Sequence, residues 1–137
     1  MNIDQLNSQL EKVSCDYQSD KNIYRIILPD ASAVSINEFF LVLREILFPE
    51  IESNGNVKLL IMIFGDIPSL NNVQRQATAL MKSHPHRAAK TAILFKDRSF
   101  ILHLLKTFIQ MLKSDAIVEF FKLGEEEKAQ QWLLDDE

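Results

Sequence analysis

The sequence predicts a single α/β domain: a mostly parallel five-stranded sheet in the order ββαβαβαβα, opened by an antiparallel hairpin. Three observations carry this. Strand-like and helix-like apolar runs alternate along most of the chain, which is the signature of crossover units and a parallel sheet. The first two strand-like runs are separated by a short polar turn, too short for a crossover. No Gly- or Ser-rich linker divides the 137 residues, of which 47% are hydrophobic and 25% charged, so the chain is long enough to bury one core without staples. Residues 1–137 are read as one domain, with residues 1–9 expected as a flexible N-terminal arm.

The elements follow in order. Leu10 to Tyr17 and Asn22 to Leu28 flank the turn Gln18-Ser19-Asp20-Lys21 and form the hairpin. Ser35-Ile36-Asn37-Glu38 fits a capping box, in which the serine oxygen and the glutamate each satisfy an orphan amide at a helix start. The helix is expected from about Ile36 to Phe48, with Pro49 at its end. Lys58 to Phe64 is apolar on both alternating faces, so this strand should be central and covered on both sides. Ser69 is placed to cap a second helix whose stripe is Leu70, Val73, Ala77, Leu80 and Met81, and Pro85 stops it. Thr91 to Phe95 is the next strand, followed by Asp97 as an N-cap and a third helix to about Lys113. Ile117 to Leu123 is the last strand. Glu125 to Leu134 is the last helix, with Ala129, Trp132 and Leu133 inward, Trp132 largely buried, and glutamates against its positive end.

Composition excludes several functions. The formal charge of −4, from 15 basic and 19 acidic residues, lacks the basic excess of a nucleic-acid-binding chain, so no nucleic acid is expected as partner. Uncharged stretches such as Leu59 to Gly65 and Ser99 to Leu105 span seven residues, against roughly 20 apolar residues for a bilayer span, so no transmembrane segment is expected. Met1 to Leu10 carries Asp4 and several amides rather than a basic cap and an apolar run, so no signal peptide is expected and the protein is read as cytoplasmic. The single cysteine, Cys15, excludes an intramolecular disulfide and multi-thiolate zinc. Three scattered glycines cannot form a phosphate cradle, and no nucleophile elbow is present. No cofactor and no catalytic residue are assigned, and Cys15 is read as a structural thiol rather than a nucleophile.

His86-Arg87-Ala88-Ala89-Lys90-Thr91-Ala92-Ile93-Leu94 before the third helix, and Phe120-Phe121-Lys122-Leu123-Gly124-Glu125-Glu126-Glu127-Lys128-Ala129-Gln130-Gln131-Trp132-Leu133 at the end, resemble the SpoIIAA-like, or STAS-like, family. That family is related to anti-sigma factor antagonists and distantly to lipid-exchange domains. The resemblance spans about Leu10 to Leu133. It implies a superhelical β/α winding and a regulatory or binding role rather than a reaction. Antagonists of that family carry an Asp-Ser-Ser/Thr-Gly motif after a central strand, with a phosphorylated serine. Here Phe64-Gly65-Asp66-Ile67-Pro68-Ser69-Leu70 stands in its place: only the acidic residue and a helix-capping serine are shared in kind and Pro68 reshapes the loop, so a kinase-switched sigma cycle is not implied. Ser69 is read first as a plain N-cap, with a phosphoacceptor role as the alternative.

Two further features invite function. His84-Pro85-His86 with Arg87 forms a cluster between a helix end and a strand. It can cap helix carbonyls, meet an anion or acidic partner, or offer two imidazoles that lack a third metal ligand. On the third helix, apolar residues including Phe100, Leu104, Phe108 and Met111 fill an arc of about 200°, wider than one sheet face covers. Internal packing, a second copy of the chain and an apolar ligand each explain such an arc. The functional expectation is a non-enzymatic regulatory or protein-interaction module, acting as a homodimer or on an unidentified protein partner. The alternative is an apolar small-molecule or lipid-binding domain.

Overall fold

The computed structural model describes residues 2–30, 32–54, 57–64, 75–76, 79, 89–96 and 117–135. A five-stranded sheet runs in the order β1-β2-β3-β4-β5. Its strands are β1 (Ser14–Gln18), β2 (Ile23–Leu28), β3 (Val57–Ile63), β4 (Ala89–Phe95) and β5 (Ile117–Lys122). The first pair is antiparallel, with Tyr17 opposite Tyr24. The following three pairs are parallel, with Ile26, Ile61, Ile93 and Phe120 in one row. The expected hairpin and parallel sheet are therefore present. Asn22 closes the hairpin at φ 59°, the left-handed region that Asn tolerates better than branched residues.

The central position of β3 follows from its sequence. Leu59 and Ile61 point to one face and Leu60 and Met62 to the other, and all four are buried. The first face packs with Ile26, Leu28, Ile93 and Phe95 against helical residues Ile36, Phe40, Val42, Ile46 and Leu47. The second packs Ile23, Ala92, Leu94 and Phe121 with Ala129 and Leu133 of the terminal helix. Each face thus has its own apolar cluster, as a strand buried on both sides requires.

On the first face lies one long helical run: α2 (Ala33–Val42), a π turn (Leu43–Leu47) and α3 (Phe48–Asn54). Pro49 was expected to end the helix, yet the run passes through it. The reason lies in the π turn. The Phe48 N–H bonds to the Leu43 carbonyl five residues back, a widened turn that leads into the residue whose missing N–H would otherwise break the ladder. Buried Ile46, Leu47 and Ile51 hold the run on the sheet.

The start of this run also corrects the capping expectation. Ser32, not Ser35, is the N-cap, with its hydroxyl accepting from the Ser35 N–H. Ser35 lies one turn further in and is fully buried, and its hydroxyl donates to Asp30 Oδ1 at 2.7 Å. Two serines three residues apart make the pattern ambiguous, and Asp30, two residues before Ser32, decides it by also accepting the Ser32 N–H at 3.0 Å. Ser32→Ala is accordingly expected to cost about 0.5–2 kcal/mol, measured as a shift of the urea midpoint with an unchanged slope.

Residues 3–7 lie within the segment expected as an N-terminal arm. They form α1 (Ile3–Asn7), opened by a reciprocal capping box between Asn2 and Gln5. Leu6 is 0% exposed and packs with Val13 and Cys15 in the first cluster. Of the second expected helix, Arg75, Gln76 and Ala79 are helical, and Gln76 Nε2 donates to Asn37 Oδ1 on α2 at 2.6 Å. The expected third helix, 98–113, lies outside the described residues.

A 3₁₀ turn (Leu123–Glu125) leads into α4 (Glu126–Leu134). Charged and polar contacts pin it at both ends. Arg25 Nη1 lies 3.3 Å from Glu126 Oε1 while Arg25 Nη2 lies 3.1 Å from Asp16 Oδ2, and Lys21 Nζ donates to Gln130 at 2.6 Å. At the far end Lys90 Nζ donates to the carbonyls of Trp132 and Asp135, satisfying helix-end acceptors with a cation where the dipole favours one. Trp132, expected to be largely buried, is instead half-buried. It packs on Phe121 at 6.0 Å with the Lys90 ammonium 4.6 Å from its ring centroid, because Ala129 and Leu133, four residues apart, occupy the core-facing stripe.

Candidate functional site

Ser69, His84, His86, Arg87, Phe100, Leu104, Phe108 and Met111, the residues singled out in the sequence, all lie outside the described residues. Cys15 lies inside them. It sits on β1 at 2% exposure, and burial, helped by the neighbouring Asp16 charge, pushes its thiol pKa up to about 12. A thiol so poised stays protonated at neutral pH and serves as a small apolar core residue, not a nucleophile.

Two carboxylates with displaced titration are equally committed to structure. Asp30 takes the Lys12 ammonium at 2.8 Å and the Ser32 and Ser35 groups, and the Lys12 contact, followed by the two serines, holds its carboxyl well below the usual range. For Glu38, burial raises the pKa, but the backbone N–H groups of Glu11, Val13 and Lys12 together with the Lys12 charge outweigh it and the net shift is downward. These contacts form a clasp between the segment before β1 and the start of α2, which the sequence did not disclose because its partners lie 18 to 27 residues apart. Both folded values lie below the unfolded ones, so the clasp contributes fully above the ordinary carboxylate range near pH 4 and is lost as pH falls through the folded values. Thermal unfolding across an acid pH series is expected to show this loss, with Glu38→Gln giving a shallower dependence than the parent.

An open cleft of about 680 Å³ lies between the chain start and the helical run. Asn2, Ile3 and Asp4 line it from α1 and Tyr24 from β2. Glu45 and Ile46 come from the π turn, and Pro49, Glu50 and Ser53 from α3. A π turn inside a helical run is a feature found frequently at functional sites. Burial raises the Tyr24 pKa first, and the Glu50 charge, Tyr17 and Cys15 add to it, so the phenol stays neutral and packs at 4.6 Å on the Tyr17 ring. Asp4, Glu45 and Glu50 bring three carboxylates to the lining, with the Arg44 Nε 3.9 Å from Glu45 Oε1. Among the described residues the lining holds no histidine, cysteine or lysine to complete a nucleophile and base pair. Among the described residues no group of three or more His, Cys, Asp or Glu could hold a metal ion, and no helix is long and apolar enough to cross a membrane. The spacing Asn2-Ile3-Asp4-Gln5 was the signal in the sequence that could have placed α1, and with it one wall of this cleft.

Comparison with family models gives a match to the SpoIIAA-like model over residues 31–134. The match begins at the start of α2, so the hairpin, which the resemblance from about Leu10 includes, falls outside it, as does α1. Comparisons with curated proteins and with solved structures return no match.

Proposed function

Because the chain belongs to the SpoIIAA-like family, we propose that it is a non-enzymatic regulatory module that works by protein contact, as a cytoplasmic homodimer. The observation that supports this best is the use made of its perturbed groups. Cys15, Asp30 and Glu38 are all spent on holding the fold, while the cleft is open and, among the described residues, lined by three carboxylates with no histidine, cysteine or lysine, which supports contact with a basic segment of another protein. The dimer contact is assigned to the apolar arc of Phe100, Leu104, Phe108 and Met111, since isologous pairing is the commonest way to cover such a surface. Because α4 already covers the second sheet face, the arc alone carries this assignment. Ser69 as a phosphoacceptor and His84, His86 and Arg87 as an anion or partner patch are secondary assignments on the same reading. Phe108→Asp is expected to shift the protein from dimer to monomer in sedimentation equilibrium at micromolar concentration. A parent that sediments as a single 15.8 kDa species would end the dimer assignment and favour the apolar-ligand alternative.

A further inference from the structure

The sheet ends at β1, and an edge strand offers an outer row of N–H and C=O groups on which another strand can build unless something occupies it. Here side chains occupy it. Asn7 Nδ2 donates to the Cys15 carbonyl at 2.6 Å, and the Cys15 N–H donates to Asn7 Oδ1 at 3.1 Å. One amide side chain thus makes the same two bonds that a residue of a neighbouring strand would make. Because the Cys15 backbone faces outward, its pair with Ile26 is of the wide type. The alternation of the antiparallel ladder then turns the amides of Val13 and Tyr17 outward as well.

Val13 is also occupied: its N–H donates to Glu38 Oε1 at 3.0 Å, and the same carboxylate takes the Lys12 and Glu11 N–H groups at 2.9 and 2.6 Å. Tyr17 is 41% exposed and its outward backbone has no partner among the described residues. The two guarding side chains are held by different elements. Asn7 ends α1, anchored by buried Leu6, and Glu38 lies on α2.

We propose that Asn7 and Glu38 form an edge guard, which keeps β1 from pairing antiparallel with β1 of a second copy, and that releasing Asn7 turns this edge into a self-pairing surface. The occupant is a second copy because an antiparallel pair of identical edges closes on a two-fold axis and needs no further partner. The guard stands mainly on α1 and β1, outside the span matched to the family, and is independent of the dimer contact assigned above.

The test compares the parent chain, Asn7→Leu, which removes both bonds at similar size, and Asn7→Asp, which keeps the acceptor and loses the donor. Each is also made with Tyr17→Pro. Tyr17→Pro deletes an outward N–H that the β2 ladder does not use, a change edge strands tolerate. Hydrogen exchange at the Cys15 amide and sedimentation velocity at equal concentration are the readouts. Asn7→Leu is expected to exchange faster at Cys15 and to gain a species of twice the parent's mass, and Asn7→Asp to move the same way less far. Tyr17→Pro is expected to return the mass to the parent's without restoring thermal stability. Extra association that persists with Tyr17→Pro would overturn the proposal, as would either Asn7 variant that stays folded, exchanges faster at Cys15 and keeps the parent's mass. Should Asn7→Leu not fold, the Asn7→Asp pair decides alone.

Discussion

Leu133→Ala is expected to destabilise the protein by about 2–5 kcal/mol, the range for truncating a fully buried leucine. Leu133 is 0% exposed and meets Leu60, Leu94 and Phe121 through the cluster that α4 closes. The polar pins at the two ends of α4 set where it lies, but Arg25 and Glu126 are partly exposed, and such pairs contribute little in water. The apolar stripe therefore carries the docking. Trp132→Ala should cost less than Leu133→Ala, because the indole is half-exposed and loses mainly its contacts with Phe121 and Lys90. Chemical denaturation of both variants checks the order, and a larger loss for Trp132→Ala would mean that the indole rather than the stripe holds the helix.

Leu6→Ala is expected to fall in the same range of about 2–5 kcal/mol, which is a demanding expectation for a residue in a helix of five. An isolated helix this short has no stability of its own. Its order comes from Leu6 joining the buried cluster that holds Val13 and Cys15 and from the two Asn7 bonds to Cys15. If Leu6→Ala melts with the parent, residues 3–7 are an appendage and both the cleft wall and the edge guard lose their support. Hydrogen exchange of the Cys15 amide in the same variant separates local release of α1 from global loss.

These two residues also mark what was and was not legible in the sequence. Leu59 to Met62, apolar on both alternating faces, announced a central strand without ambiguity, since only a strand covered twice can carry that pattern. Ala129 and Leu133 announced a docked terminal helix through their spacing of four. Leu6 announced nothing, because two apolar residues in five, Ile3 and Leu6, are too few to establish a period. Pro49 misled, for the local rule that proline ends a helix yields when a π turn precedes it and Ile46, Leu47 and Ile51 are buried around it. Ser35 misled in the other direction: its spacing to Glu38 fits a capping box, but Glu38 instead serves the backbone of residues 11–13. Contacts between separate elements leave no trace in the local pattern, and the clasp, the edge guard and the cleft are all made of such contacts.

Native mass spectrometry of freshly purified protein tests the central claim most directly, because it reads subunit number and any bound small molecule together. The account predicts an ion series at twice the 15.8 kDa chain mass with no added mass. A monomer, and above all a monomer carrying the mass of an apolar molecule, would contradict it.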